Sequence, residues 1–144
     1  MNSKEKILKN IKKNIAKKVN LPTLDIATTK YDDKEQEFTK NFLLAGGEIT
    51  QKEKGIVLEG VLGVAENGAV LLKEVDDRKL YTFYEEITIV LDKNHIVNNM
   101  HEAYQKTKID SFALFMAGPS KTADIEQSLV IGAHGAKRCY LLLS

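Results

Sequence analysis

Gly118-Pro119-Ser120-Lys121-Thr122 follows the apolar run Phe112 to Met116 and sets two hydroxyls and an ammonium group directly behind a glycine and a proline. Glycine permits close backbone approach, proline restricts the turn, and a helix starting after the loop would add unpaired N–H groups. Such a combination holds a carboxylate or a phosphate. Gly118, Ser120, Lys121 and Thr122 are therefore the expected ligand contacts, with Glu66 and Asn67 from another loop as a further wall. A purely structural alternative stands beside this reading, because Asp124 and Glu126 would lie in the first turn of that helix and satisfy its positive end themselves.

Glu66 and Glu126 are the carboxylates that could serve as base or nucleophile. His134 and Gly135 invite completion of an acid-base set with Glu126. A helix over Ala123 to Ile131, rising about 1.5 Å per residue, would instead carry His134 to the edge opposite Ser120, where it hydrogen-bonds in a turn. Cys139 reads as a small apolar strand residue. His95 and His101 do not share a helical face, and no Cys/His set has the spacing of a zinc or iron-sulfur site, so no metal is expected.

The elements that must position these groups follow from periodicity. Phe112 to Met116 and Cys139 to Leu143 read as strands joined through the Ala123–Ile131 helix. This β-α-β unit would place the two strands side by side and parallel, with the loop at their carboxyl edge. Upstream, Ile87 to Leu91 is the most strand-like run, and Ala69 to Lys73 is a buried-strand candidate behind an Asn67-Gly68 turn. Glu48 to Glu53 alternates weakly as a further strand. A helix starts at Asp32 with Glu35 completing a capping box, buries Phe38, Phe42 and Ala45, and stops at Gly46-Gly47. Asn94 caps another, with Ile96, Val97, Met100 and Tyr104 inward. The fold class is α/β, a mainly parallel sheet flanked by helices.

Residues 1–19 form a basic amphipathic helix capped by Ser3, with Ile7, Leu8, Ile11, Ile15 and Val19 on one stripe. Seven lysines fall in the first eighteen residues against the single acid Glu5, while the net charge of the whole chain is only +1. The balance gives no case for nucleic acid, but the helix itself is a candidate for association. Leu21 to Lys30 has no periodicity and reads as a linker. With 144 residues, 43% of them hydrophobic, the chain fits a single domain spanning 1–144. One cysteine excludes an internal disulfide and points to a reducing cytoplasm. No apolar run approaches the eighteen or so residues that span a bilayer, so no membrane insertion is expected.

From Gly118 to Gly135, without a gap, the chain resembles the signature of the LUD-domain, lactate-utilisation protein C family. The order of earlier elements is also similar: a basic N-terminal helix, a helix closing in Ala45-Gly46-Gly47, and a loop near Ala65-Glu66 before two strands. Three features depart from the family. Asn67-Gly68-Ala69 stands where Thr-Gly-Thr is usual, His134-Gly135-Ala136 where His-Gly-Pro is usual, and the stretch between Gly47 and Gly60 is short. The resemblance implies a fold related to ribose-phosphate isomerases, glucosamine-phosphate isomerases and CoA-transferases. It also implies service in oxidising lactate to pyruvate beside iron-sulfur partner proteins. Clusters are expected only in those partners, and this chain is expected to bind no cofactor of its own.

Three functions follow as expectations: an accessory, anion-binding subunit of a lactate oxidation system; an isomerase or acyl/CoA-transferase on a phosphorylated or CoA-linked molecule; or a regulatory or scaffold protein docking through its first helix. Homo-oligomerisation is compatible with each.

Overall fold

Ile87, Ile89 and Leu91 alternate along one strand, β4 (Glu86–Leu91), and all three are fully buried. They form the floor of the core in a computed structural model that describes residues 2–13, 19–20, 28–109, 112–123, 129–132 and 134–144. On one side β4 pairs in parallel with β9 (Arg138–Leu143), from Glu86↔Arg138 to Leu91↔Leu143. On the other it pairs in parallel with the first half of β2 (Ile56–Val64). A short β1 (Glu48–Ile49) adds in parallel to β9.

Between Gly60 and Leu62 the register of β2 shifts. Such a bulge bends and twists the strand. Beyond it β2 pairs antiparallel with β3 (Ala69–Leu72), which pairs antiparallel with β6 (Leu114–Met116); the two-residue β5 (Ile96–Val97) lies parallel to the end of β2. Among the described residues the sheet thus runs β1-β9-β4-β2-β3-β6, with β5 on β2. Parallel pairings dominate it, as the α/β reading requires.

Phe112 to Met116 and Cys139 to Leu143 are therefore not neighbours, contrary to the side-by-side expectation: β4, β2 and β3 separate β6 from β9. In a flat sheet four strand spacings would hold them roughly 19 Å apart. Yet Cys139 Sγ lies 4.0 Å from Met116 Sδ. The sheet curls at the β2 bulge until its two halves face one another, and α2 (Lys34–Leu44) fills the concavity with Phe38 and Phe42, both fully buried. α3 (Met100–Lys106) covers the other face of the second half, where Ala103 meets Leu62, Val64, Leu71 and Val97.

The expected helix over Ala123 to Ile131 is a second correction. Its two ends are strands, β7 (Lys121–Ala123) and β8 (Leu129–Ile131), paired antiparallel as Lys121↔Ile131, Thr122↔Val130 and Ala123↔Leu129. β-branched Thr122, Val130 and Ile131 suit such a ladder. Asp124 and Glu126 lie outside the described residues.

Smaller corrections have local causes. Asp33, not Asp32, caps α2 by accepting from Gln36 N at 2.9 Å. The stop at Gly46-Gly47 holds: Gly46 N and Gly47 N donate to Leu43 O and Phe42 O at 2.8 and 3.0 Å, a Schellman closure with Gly46 at φ +90°. Asn94 does not cap a helix, because its side-chain amide and backbone N–H both bond Asp92 Oδ1 within a 3₁₀ turn. Ile96 and Val97 continue as strand, Asn99 caps α3, and Tyr104 is exposed rather than inward. The strand expected over Glu48 to Glu53 ends at Ile49. The first helix, α1 (Ser3–Lys13), is capped by Asn2 in a reciprocal bond with Glu5, and none of its residues is buried. Residues 14–18 of the expected helix and 21–27 of the expected linker lie outside the described residues.

Candidate functional site

The loop after β6 is seated on the C-terminal end of α2. Gly118 has φ +71°, and a Cβ there would come within 2.6 Å of Ala45 O and 3.2 Å of Gly47 N. Lys121 reaches the same place from β7, its Nζ donating to Ala45 O. An ammonium at a helix C-terminus is favourably placed against the negative end of the helix dipole. Lys121, expected as a ligand contact, is thus engaged in fixing the loop. Thr122 Oγ1 donates across the hairpin to Val130 O at 3.4 Å.

Ser120 is held from the other side. Its N–H donates to Ala136 O at 2.8 Å, and its carbonyl accepts from Gly132 N at 3.0 Å. A Cβ added at Gly135 would lie 3.1 Å from Ser120 Cβ. The two ends of the signature therefore touch, and His134 comes out beside Ser120 rather than at the opposite edge. The loop opens where the end of β6 meets the start of β9, not at a shared carboxyl edge.

Two depressions meet here. One, of about 240 Å³, runs past Tyr81, Met116, Gly118, Ser120 and Ala136. The other, an open cleft of about 510 Å³, is walled by Phe83, Tyr84, Glu85 and Lys137. They share Thr82, His134 and Gly135. The Thr82–Glu85 wall is anchored at both ends. Buried Tyr81 donates its hydroxyl to Lys73 O at 2.8 Å, accepts from Val75 N at 3.1 Å and stacks on Phe112. Glu85 O accepts from Lys137 N and Arg138 N at 2.8 and 3.0 Å. Across the cleft mouth Lys137 Nζ pairs with Glu85 Oε1 at 2.5 Å, and that hydrogen bond, together with the lysine charge, holds the Glu85 carboxyl below its ordinary range. Phe83 is 77% exposed and rests edge-on against Tyr84.

Glu66 and Asn67 do not line this cleft. Glu66 Oε1 accepts from Met100 N at 2.8 Å at the start of α3, and Asn67 Oδ1 accepts from Ala69 N at 3.0 Å to close the β2–β3 turn. The turn nonetheless lies near the loop, since Gly68 abuts Asn41 and Phe42 of α2 one helical turn before Ala45. Cys139 is buried in β9, and burial pushes its thiol up to about 12, leaving it without nucleophilic character at neutral pH.

Sequence reasoning passed over Thr82, Phe83, Tyr84, Glu85 and Lys137. A signal was present: Tyr81, Phe83 and Tyr84 put three of the chain's five tyrosines and five phenylalanines into four consecutive residues. Aromatic side chains at that density outside a strand pattern mark a wall or an anchor.

Residues 2–144 match the LUD domain. The chain belongs to the LUD-domain family. It is similar to the lactate utilization protein C of Halalkalibacterium halodurans, with 33% identity over 91 residues, covering 56% of this chain and 40% of that protein. With the same protein of Anoxybacillus flavithermus it shares 34% over 87 residues, at the same coverages of 56% and 40%. The LUD-domain chain thus matches well under half the length of these curated relatives. Among solved structures it is similar to a DUF162 family protein from Deinococcus radiodurans, with a TM-score of 0.50 and 10% identity over 76% of this chain and 95% of that one. At that identity the likeness concerns the fold. No helix among the described residues is long and apolar enough to cross a membrane.

Proposed function

We propose that this LUD-domain chain serves lactate utilisation as an accessory subunit that binds a small carboxylate in the cleft between Thr82–Glu85 and Gly132–Lys137. The observation that carries the reading is the convergence of the Ser120 loop, His134 and Lys137 on one opening. The ligand carboxylate takes the place of Glu85 on Lys137; an exposed ion pair is worth about 0–1 kcal/mol, so exchanging it costs little. His134 supplies a ring nitrogen and Ser120 a hydroxyl to the remaining oxygens. The relatives named for lactate utilisation point to lactate or pyruvate as the acid.

Electron transfer falls to other proteins. An iron-sulfur cluster is held by cysteine thiolates, usually four, whereas this chain has one, and it is buried. The reading therefore includes iron-sulfur partners that oxidise the bound acid. An isomerase or transferase acting through Glu66 is less well supported, because that carboxylate is committed to the N-terminus of α3 and lies outside the cleft.

Calorimetric titration with lactate, pyruvate, a phosphosugar and CoA tests the binding step. Loss of two hydrogen bonds of about 1 kcal/mol each in a Ser120→Ala/His134→Ala variant weakens binding of the preferred acid roughly 30-fold. Equal affinity in variant and wild type removes these residues from the site. Turnover by the isolated chain, without added iron-sulfur protein, overturns the accessory role.

A further inference from the structure

α1 carries two features that nothing among the described residues satisfies. Its apolar stripe is open to solvent, with Ile7 58%, Leu8 46% and Ile11 60% exposed. Lys4, Lys6, Lys9, Lys12 and Lys13 surround that stripe, and none of them has an ion-pair partner among the described residues. Glu5, the helix's one acid, is spent on the cap with Asn2.

The outer face of α2 has the complementary character. Opposite the buried Phe38 and Phe42, a shallow groove of about 460 Å³ runs along Asp33, Glu35, Gln36, Thr39, Lys40 and Leu43. Leu43 is 48% and the adjoining Leu44 73% exposed, which leaves two leucines bare at the C-terminal end of the helix. At its N-terminal end Asp32 and Glu35 pair with no cation among the described residues. Each of the two helices has eleven residues. One is a lysine-flanked apolar ridge; the other is an acid-flanked groove with exposed leucines.

We infer that α1 of one copy packs along the outer face of α2 of a second copy, and that the exchange is mutual. Among the described residues nothing covers either surface, and their opposite charge fits each to the other on a second copy. Pairing of α1 with α1 would bring like charges together, whereas pairing with α2 sets lysine against aspartate and glutamate. A two-fold arrangement forms the contact twice in one association, which moves the total towards the roughly 1,200 Å² that a stable interface buries. Ile7, Leu8 and Ile11 then fill the groove against Leu43 and Leu44, and the lysines ring it.

The test is the oligomeric state of the full chain by light scattering and sedimentation across a concentration series at low and high salt. The wild type is expected to be dimeric, with an association constant that falls at least tenfold between 0.05 and 1 M NaCl, numbers set by the screening of exposed charge at about 3 Å in molar salt. Ile7→Asp/Ile11→Asp gives a monomer whose thermal unfolding matches that of the wild type diluted until it is monomeric, since no α1 residue is buried in the core. Lys9→Glu/Lys12→Glu and Asp32→Lys/Glu35→Lys each weaken the dimer, and a mixture of the two variants restores it. A monomeric wild type, a dimer that survives Ile7→Asp/Ile11→Asp, or a monomer in which α1 is protected from hydrogen exchange each overturns the proposal; the last would place α1 on its own chain.

Discussion

Replacing Gly118 by alanine tests whether the signature loop is seated on α2 as tightly as its contacts indicate. Two costs add. Alanine at φ +71° sits in the left-handed region, at roughly 1–2 kcal/mol. Its Cβ would also stand 2.6 Å from Ala45 O, a backbone atom that cannot rotate away. Relief requires the loop to withdraw by several tenths of an ångström, which loosens the Lys121 bond to Ala45 O and the Ser120 bond to Ala136 O. With each of these two bonds weakened by about half of its roughly 1 kcal/mol, the total is about 2–3 kcal/mol. For a chain of this size that lowers Tm by roughly 10 °C. Gly46→Ala is the matched control: its φ is +90°, but the nearest atoms to the added Cβ are Lys121 Nζ at 3.0 Å and Cε at 3.2 Å, the far end of a flexible side chain rather than backbone, so that at most the Lys121 bond to Ala45 O is disturbed. The same backbone cost applies there, roughly 1–2 kcal/mol, without the backbone clash. Urea unfolding of both variants measures the difference. Equal losses, or a Gly118→Ala variant within about 0.5 kcal/mol of wild type, would refute the claim that close approach to α2 fixes the loop.

Other consequences are open to direct measurement. Glu102 accepts from Asn98 N and its side-chain amide, and these bonds, the backbone one foremost, lower its pKa from 4.5. A depressed carboxyl stabilises the fold above its unfolded pKa, and the contribution is lost as pH falls through the lower folded value; Glu102→Gln is therefore expected to flatten the fall in stability below about pH 4.5, seen by urea titration at several pH values. Cys139 is expected to stay unmodified by a thiol reagent in the native state at pH 8 and to react fully once urea unfolds the chain; rapid native reaction would contradict its burial. Phe42→Ala, which empties a fully buried ring position between Phe38 and Gly47, is expected to cost about 3–5 kcal/mol in chemical denaturation. Deleting residues 1–13 should leave a cooperatively unfolding chain, because α1 buries nothing; loss of the thermal transition would show otherwise.

What could be read in advance was whatever local chemistry decides. The paired glycines after Ala45 fix a helix end because no other residue adopts that conformation as cheaply, and Phe38 and Phe42 declare their face through spacing alone. Ile87 to Leu91 has no competing helical reading. The miss over Ala123 to Ile131 has a different origin. Its apolar residues suit either a helix or a hairpin, and the choice rests on where β6 lies in the sheet, which is set by the bulge in β2 some sixty residues earlier. The same bulge explains the failed neighbour pairing of β6 with β9. Likewise Asn94 and Asn99 are equally good caps in isolation, and only the bonds from Asn94 to Asp92 settle which of them starts α3.

The position of His134 shows what the hairpin does for the site. Nine helical residues from Ala123 to Ile131 would have displaced the chain by roughly 14 Å, placing the second half of the signature far from the first. An antiparallel pair returns it instead, so that Lys121 faces Ile131, Gly132 N reaches Ser120 O, and Gly135 lies against the Ser120 side chain. Residues that looked like the two ends of a crossover become the two lips of one opening. Their partner wall, Thr82 to Glu85, is tied by Tyr81 to the end of β3 and by Glu85 to the start of β9. A ligand bound at this junction, as proposed, would bridge both halves of the curled sheet, and its binding energy would oppose any separation of them. Binding that stabilises the fold while leaving α1 free would place the cleft and the association surface under independent control.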